Sequence, residues 1–124
     1  MKKLMIAAML AVSVAGSAWA AHAHMDATGK AETISGELLD MACYMAHEGK
    51  GKKHAQCAGA CVAGGAPLGV LTKDGKVYLV VGDHTNEKPY VEAKALVGGD
   101  AKLTGTVFTR GGLTAIIVSK AEKL

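Results

Sequence analysis

The chain has 124 residues, of which 50% are hydrophobic, and its formal net charge at pH 7 is +3. Only 4% of the residues are aromatic. Single-stranded nucleic acids are bound by basic grooves lined with stacking aromatic side chains, so we expect no nucleic-acid partner. The length fits one domain with a modest hydrophobic core.

The first 20 residues have the pattern of a secretory signal peptide. Lys2 and Lys3 form a positive start, an apolar run covers residues 4 to 15, and Ala18-Trp19-Ala20 matches an A-x-A cleavage site. The apolar run is shorter than the ~20 residues that span a bilayer. We therefore predict cleavage after Ala20, a periplasmic or secreted protein, and no stable membrane span in the mature chain. Cleavage would remove Lys2 and Lys3, so the mature chain would have 12 basic and 11 acidic residues and a formal net charge of +1.

Residues 21–31 are small and polar, which predicts a flexible lead-in to a single domain at 32–124. The segment 33–40, TISGELLD, roughly alternates in polarity and predicts the first strand. Helix-forming residues follow directly in MACYMAHEG. Asp40 is therefore the predicted N-cap of a short helix.

The segment 43–61, CYMAHEGKGKKHAQCAGAC, contains all three cysteines and two of the five histidines. Its centre, GKGKK at 49–53, predicts an exposed loop. The alanine-rich stretch 52–65 ends in two glycines, which predicts a second short helix with a glycine C-cap. We expect this region to be an insertion between two strands.

The next region predicts a β-hairpin and a helix. In residues 67–82, two apolar runs flank Asp74-Gly75, which is a strong turn signal. Residues 84–99 predict a helix that begins near Asn86, with Pro89 in its first turn.

Two more strands complete the predicted fold. They cover 101–110 and 113–122 and are joined by Gly111-Gly112, a second tight hairpin. The order places a helix between strands 3 and 4, as in five-stranded barrels of the OB type. We predict a mainly β protein with short helices: a small five-stranded OB-like barrel with a helical Cys/His insertion between strands 1 and 2. A small α+β sandwich with the same strand order is the alternative.

The spacing of the cysteines and histidines predicts a metal site. His54, Cys57 and Cys61 are spaced i, i+3 and i+7, so they share one face of a helix. Cys43 and His47 are spaced i, i+4 and share a face of the preceding segment. If the two segments fold back on each other around the loop, these faces meet. We predict metal ligation by Cys43, His54, Cys57 and Cys61, with His47 as a further candidate ligand.

The predicted metal is zinc or copper. Three cysteines and one histidine are a common tetrahedral ligand set for zinc, and thiolates also suit Cu(I). The thioethers of Met41 and Met45, close by in sequence, would favour Cu(I). The primary hypothesis is therefore an exported, non-enzymatic metal-binding protein.

Two other roles remain open for the cysteines. Exported cysteines usually form disulfides, and a bridge from Cys43 to Cys57 or Cys61 would close a loop of roughly 15 to 19 residues, worth about 3 kcal/mol. The protein would then be a stapled module with one spare thiol that binds another exported protein. Alternatively, the lysines of the 49–53 loop would lower the thiol pKa and favour a periplasmic redox factor.

Several motifs together resemble a group of small exported bacterial proteins. The resemblance covers about residues 33 to 120 and involves Gly36-x3-Asp40-x2-Cys43, His54-x2-Cys57-Ala58-x2-Cys61, Gly65-Ala66-Pro67-Leu68-Gly69 and Asp74-Gly75-x-Val77-Tyr78. It implies an OB-like barrel with a Cys/His insertion, in which Cys43, His54, Cys57 and Cys61 act together. It implies no particular activity.

Overall fold

Residues 29–124 are described by a computed structural model. The predicted signal peptide and most of the predicted lead-in lie outside these residues. The first strand begins at Lys30, two residues before the predicted start of the domain at Glu32. Within residues 29–124, no helix is both long enough and apolar enough to cross a membrane.

Five strands and three short helices make up the described chain. In order they are β1 (Lys30–Asp40), α1 (Met41–His47), α2 (Ala55–Ala63), β2 (Leu68–Thr72), β3 (Val77–Val81), α3 (Lys88–Ala95), β4 (Asp100–Arg110) and β5 (Leu113–Lys123). All the predicted strands and helices are present, in the predicted order.

The strands form a closed barrel in the order β1-β2-β3-β5-β4, with β4 pairing back to β1. The β3–β5 pairing is parallel, and the other four pairings are antiparallel. The OB-like barrel is therefore confirmed, and the α+β sandwich is not formed. Helices α1 and α2 occupy the β1–β2 connection, as predicted. The chain leaves β1 at Asp40 and enters β2 at Leu68, and these two residues are paired directly across the strands.

Alternating side chains of the strands fill the barrel. Ile34 and Leu38 of β1 point into the same core as Leu103 of β4. Both longer helices contribute to it. The core consists of Ile34, Leu38, Val62, Leu68, Val70, Val80, Ala93, Ala101, Leu103, Ile116 and Val118. Val62 of α2 is only 2% exposed, and burial of a valine side chain stabilises by roughly 1.5–3 kcal/mol, so this contact fixes α2 against the barrel.

Helix α3 begins at Lys88 rather than near Asn86, because a local turn occupies the preceding residues. The Asp83 carboxylate accepts hydrogen bonds from the backbone N–H and the hydroxyl of Thr85, at 2.8 and 2.7 Å. The Asn86 backbone N–H donates to the Asp83 carbonyl at 2.9 Å. This Asx-type turn competes with the helix for the same backbone groups and delays its start.

Candidate metal centre

Asp40 joins the barrel to the cluster. Its Oδ1 accepts a hydrogen bond from the Ala42 backbone N–H at 2.9 Å, so Asp40 is the N-cap of α1, as predicted. The Met41 backbone N–H donates to the Pro67 carbonyl at 2.9 Å, which ties the start of α1 to the chain that enters β2. Cys43, in the first turn of α1, is thereby held at a fixed position above the end of the barrel.

The loop between the helices reverses the chain within a few residues. Glu48 ends α1 in the left-handed conformation, with φ of 55°, and its N–H donates to the Tyr44 carbonyl at 2.8 Å. The Gly51 backbone N–H donates to the carboxylate of Glu37 on β1, which holds the loop against the barrel. The His54 backbone N–H then donates to the Gly51 carbonyl at 2.9 Å, just before α2 begins.

Helix α2 presents two sulfurs one turn apart. Ala58 and Val62 are buried and fix the orientation of the helix. Cys57 is exposed and Cys61 is half-buried, and their Sγ atoms lie 4.0 Å apart.

The two helices, with His54 directly before α2, bring five candidate ligands together in two overlapping groups. The ligand atoms of Cys43, Cys57 and Cys61 all lie within 4.8 Å of one another, and so do those of Cys43, His47 and His54. Cys43 belongs to both groups. The predicted meeting of the two faces is therefore confirmed. Because His54 is grouped with Cys43 and His47 rather than with all three thiols, the exact ligand set of Cys43, His54, Cys57 and Cys61 stays a prediction.

Comparisons of the chain with protein-family models, with curated proteins and with solved structures gave no match. The resemblance to small exported bacterial proteins therefore stays a prediction. The chemistry of the cluster has to be inferred from its own residues.

His54 sits in a tight pocket beside the loop. The ring Nε2 is buried and has no hydrogen-bond partner among the described residues. The ring lies so close to Gly49 that a Cβ on that residue would be 2.6 Å from Nε2. The His54 and His47 rings pack edge to face, with centroids 5.4 Å apart and an interplanar angle of 78°. A buried imidazole nitrogen without a hydrogen-bond partner lowers the stability of the fold. A nitrogen in this state is free to act as a metal ligand.

Asp40 is the one fully buried charged residue in the part of the chain that the structure describes. Its Oδ2 has no hydrogen-bond partner there, and the thiols of Cys43 and Cys61 lie beside the carboxylate. Burial acts to raise the pKa of Asp40, but interactions with the Cys43 thiol, the Ala42 N–H and the Cys61 thiol outweigh it and hold the pKa below its ordinary value. Asp40 therefore remains ionised beside the thiols.

The charge of Asp40 controls the protonation of two cysteines. Interaction with the neighbouring Asp40 carboxylate, followed by burial, raises the pKa of Cys43 to about 12. Interaction with Asp40, followed by that with Cys57, also raises the pKa of Cys61. The expectation that the loop lysines lower the thiol pKa is therefore wrong for Cys43 and Cys61. In the metal-free protein these thiols are protonated and are poor nucleophiles, which argues against the redox role.

The three cysteines carry free thiols. The Sγ atoms of Cys57 and Cys61 are 4.0 Å apart, about twice the length of a disulfide bond, and Cys43 bridges to neither. The stapled arrangement is therefore not formed in this structure.

The fold determines the surroundings of Met41, Met45 and Glu37, and a role of the two thioethers in selecting Cu(I) stays a prediction. Met41 packs its sulfur against Gly69 of β2, where a Cβ would collide with it. Met45 is 73% exposed. Glu37, which anchors the loop, gave no sequence signal because its partner is a backbone N–H 14 residues away.

Proposed function

We propose that this chain is an exported, non-enzymatic metal-binding protein whose Cys/His cluster holds zinc or copper. The observation that carries the proposal is the convergence of three thiols and two imidazoles, from α1, α2 and the residue directly before α2, around Cys43. Thiolate and imidazole are ligands of zinc and copper, whereas magnesium and calcium prefer oxygen.

The surroundings of the cluster support this role. The His54 Nε2 atom is buried without a hydrogen-bond partner, and one nitrogen of the ring lies within 4.8 Å of Cys43 Sγ. Asp40 lies beside the thiols of Cys43 and Cys61, where an ionised carboxylate can orient ligands and accept their hydrogen bonds. Because metal binding requires deprotonated thiols, affinity should fall as the pH is lowered.

The position of the cluster favours a metal that is carried rather than one that holds the fold together. None of the five candidate ligands belongs to the hydrophobic core of the barrel. Cys57 and His47 are exposed, so an ion could enter and leave without opening the core. A periplasmic or secreted location, as the N-terminal sequence predicts, would suit an exchange of metal with another exported protein.

Metal analysis of the mature protein tests the proposal. Protein purified under reducing, anaerobic conditions should bind zinc or copper stoichiometrically, and Cys43→Ser should abolish this because Cys43 belongs to both ligand groups. His84→Ala is the matched control, since His84 is an exposed histidine on a loop outside the cluster.

Three titratable thiols per unfolded chain are expected in the exported protein. One thiol per chain, with no bound metal, would instead support the disulfide-stapled module. Retention of full metal binding by the Cys43→Ser variant would contradict the proposed site.

A further inference from the structure

The cluster contains more ligands than one ion needs. A structural zinc ion takes four ligands, whereas five side chains converge here. They do so as two sets of three that have only Cys43 in common.

We propose that the cluster binds two Cu(I) ions, one held by Cys43, Cys57 and Cys61 and the other by Cys43, His47 and His54. The Cys43 thiolate is shared by both ions. This inference rests on the proposed metal-binding function and specifies its metal and stoichiometry.

The spacing of the sulfurs fits a three-ligand site. Three sulfurs in a plane around one ion, each ~2.3 Å from it, lie about 4.0 Å apart. The Cys57 and Cys61 Sγ atoms are 4.0 Å apart, and Cys43 Sγ lies within 4.8 Å of both. Small side-chain rotations therefore complete this first site.

The two histidines form the second site because they face Cys43 together. Their rings are in edge-to-face contact, and one ligand nitrogen of each lies within 4.8 Å of Cys43 Sγ. A mononuclear zinc site with three thiolates would use one imidazole and leave the other without a role. Two imidazoles and one thiolate are a known trigonal ligand set for copper.

Ligand softness and the number of ligands per ion favour Cu(I) over zinc as the pair of ions. Thiolates select Cu(I), and two ions with three ligands each would leave zinc short of its usual four. Two Cu(I) ions displace three thiol protons, so three thiolates and Asp40 leave the site with an excess of two negative charges. Cys57 and His47 are exposed, so this excess charge is in contact with solvent rather than buried in the core.

Anaerobic titration of the reduced, metal-free mature protein with Cu(I), against a chromogenic Cu(I) chelator, tests the inference. We expect two Cu(I) per chain in the wild type and in the His84→Ala control. The double variant His47→Ala/His54→Ala should retain one, and so should Cys57→Ser/Cys61→Ser. X-ray absorption of the loaded wild type should show a copper–copper distance that both double variants lose.

The possible outcomes separate this inference from the proposed function. One Cu(I) per chain in the wild type, unchanged by the histidine substitutions, would overturn the two-ion site but not metal binding. No binding of either copper or zinc would overturn both. If the histidine double variant fails to fold, His47→Ala alone decides, because His47 is exposed and its loss should weaken the second Cu(I) at least tenfold without unfolding the barrel.

Discussion

Gly49→Ala should damage the metal site while sparing the barrel. Gly49 is buried against the His54 ring, and a Cβ there would lie 2.6 Å from Nε2, whereas ordinary contacts begin at 3.4 Å. The ring must therefore move by the difference, 0.8 Å. The backbone of His54 is held by its hydrogen bond to Gly51, so the side chain has to rotate, which changes the position of its ligand nitrogen relative to Cys43.

The two effects of Gly49→Ala should differ in size. Overpacking costs typically 1–3 kcal/mol, and the cost here should be near ~1 kcal/mol because the end of one side chain can give way. A displaced ligand should weaken metal binding by about tenfold or more, which corresponds to at least ~1.4 kcal/mol.

Urea unfolding of the metal-free variant and competitive metal titration measure the two quantities separately. Gly59→Ala is the matched control: it lies on α2 between the ligands, has ordinary helical φ and meets nothing within 4 Å of the added Cβ. It should stabilise the helix by up to ~1 kcal/mol and leave metal affinity unchanged. Wild-type affinity in Gly49→Ala would refute the inferred role of the His54 ring.

Three further changes probe the charge beside the thiols, the anchoring of α2 and the turn before α3. Asp40→Asn keeps a capping side chain but removes the charge that raises the pKa of Cys43 to about 12. Alkylation of the metal-free protein at pH 8 should therefore become faster. An unchanged rate would mean that burial controls the pKa of this thiol. Val62→Ala should lower the free energy of unfolding by about 2 kcal/mol in urea, and a loss below ~0.5 kcal/mol would show that α2 is not anchored there. Hydrogen bonds from the Thr85 side chain and backbone hold the pKa of Asp83 below its ordinary value. The ionised carboxylate therefore stabilises the fold at pH values above its unfolded pKa of about 4, and this stabilisation is lost as the pH falls through the lower folded pKa. Thermal melts from pH 6 to 3 should therefore decline less for Asp83→Asn than for the wild type.

Local sequence signals were sufficient to predict the barrel. Polar and apolar residues alternate along the strands, and Asp74-Gly75 and Gly111-Gly112 mark the two hairpin turns. Gly111 and Gly112 both adopt positive φ, 57° and 81°, which is the conformation of the tight turn expected there. The predicted start of α3, near Asn86, lies two residues before the observed start at Lys88. The Asx-type turn at Asp83 causes this difference, and it forms only because the folded chain brings backbone N–H groups within reach of the Asp83 carboxylate.

The convergence of the cysteines and histidines was predictable, whereas the electrostatics of the cluster were not. Helical spacing was enough to place Cys57 and Cys61 on one face, and the glycine-containing loop at 49–53 suggested the fold-back that brings Cys43 to them. The sequence shows lysines beside the cysteines but not their distances from the sulfurs. In the folded chain the lysines are exposed, and Asp40 is buried against the thiols, so the sign of the pKa shift is reversed. That reversal depends on how the helices dock on the barrel, through contacts such as the one between Glu37 and Gly51.

Because Asp40 pairs directly with Leu68, the Cys/His segment at 41–67 leaves the sheet and returns to it at adjacent points. Replacing residues 41–67 with a short turn should keep the two strands in register. It would leave a cavity in the core where the Val62 side chain packs. Conversely, this segment should be transferable to another antiparallel strand pair that ends in two directly paired residues. That host would need an apolar cavity beside the pair to accommodate Val62.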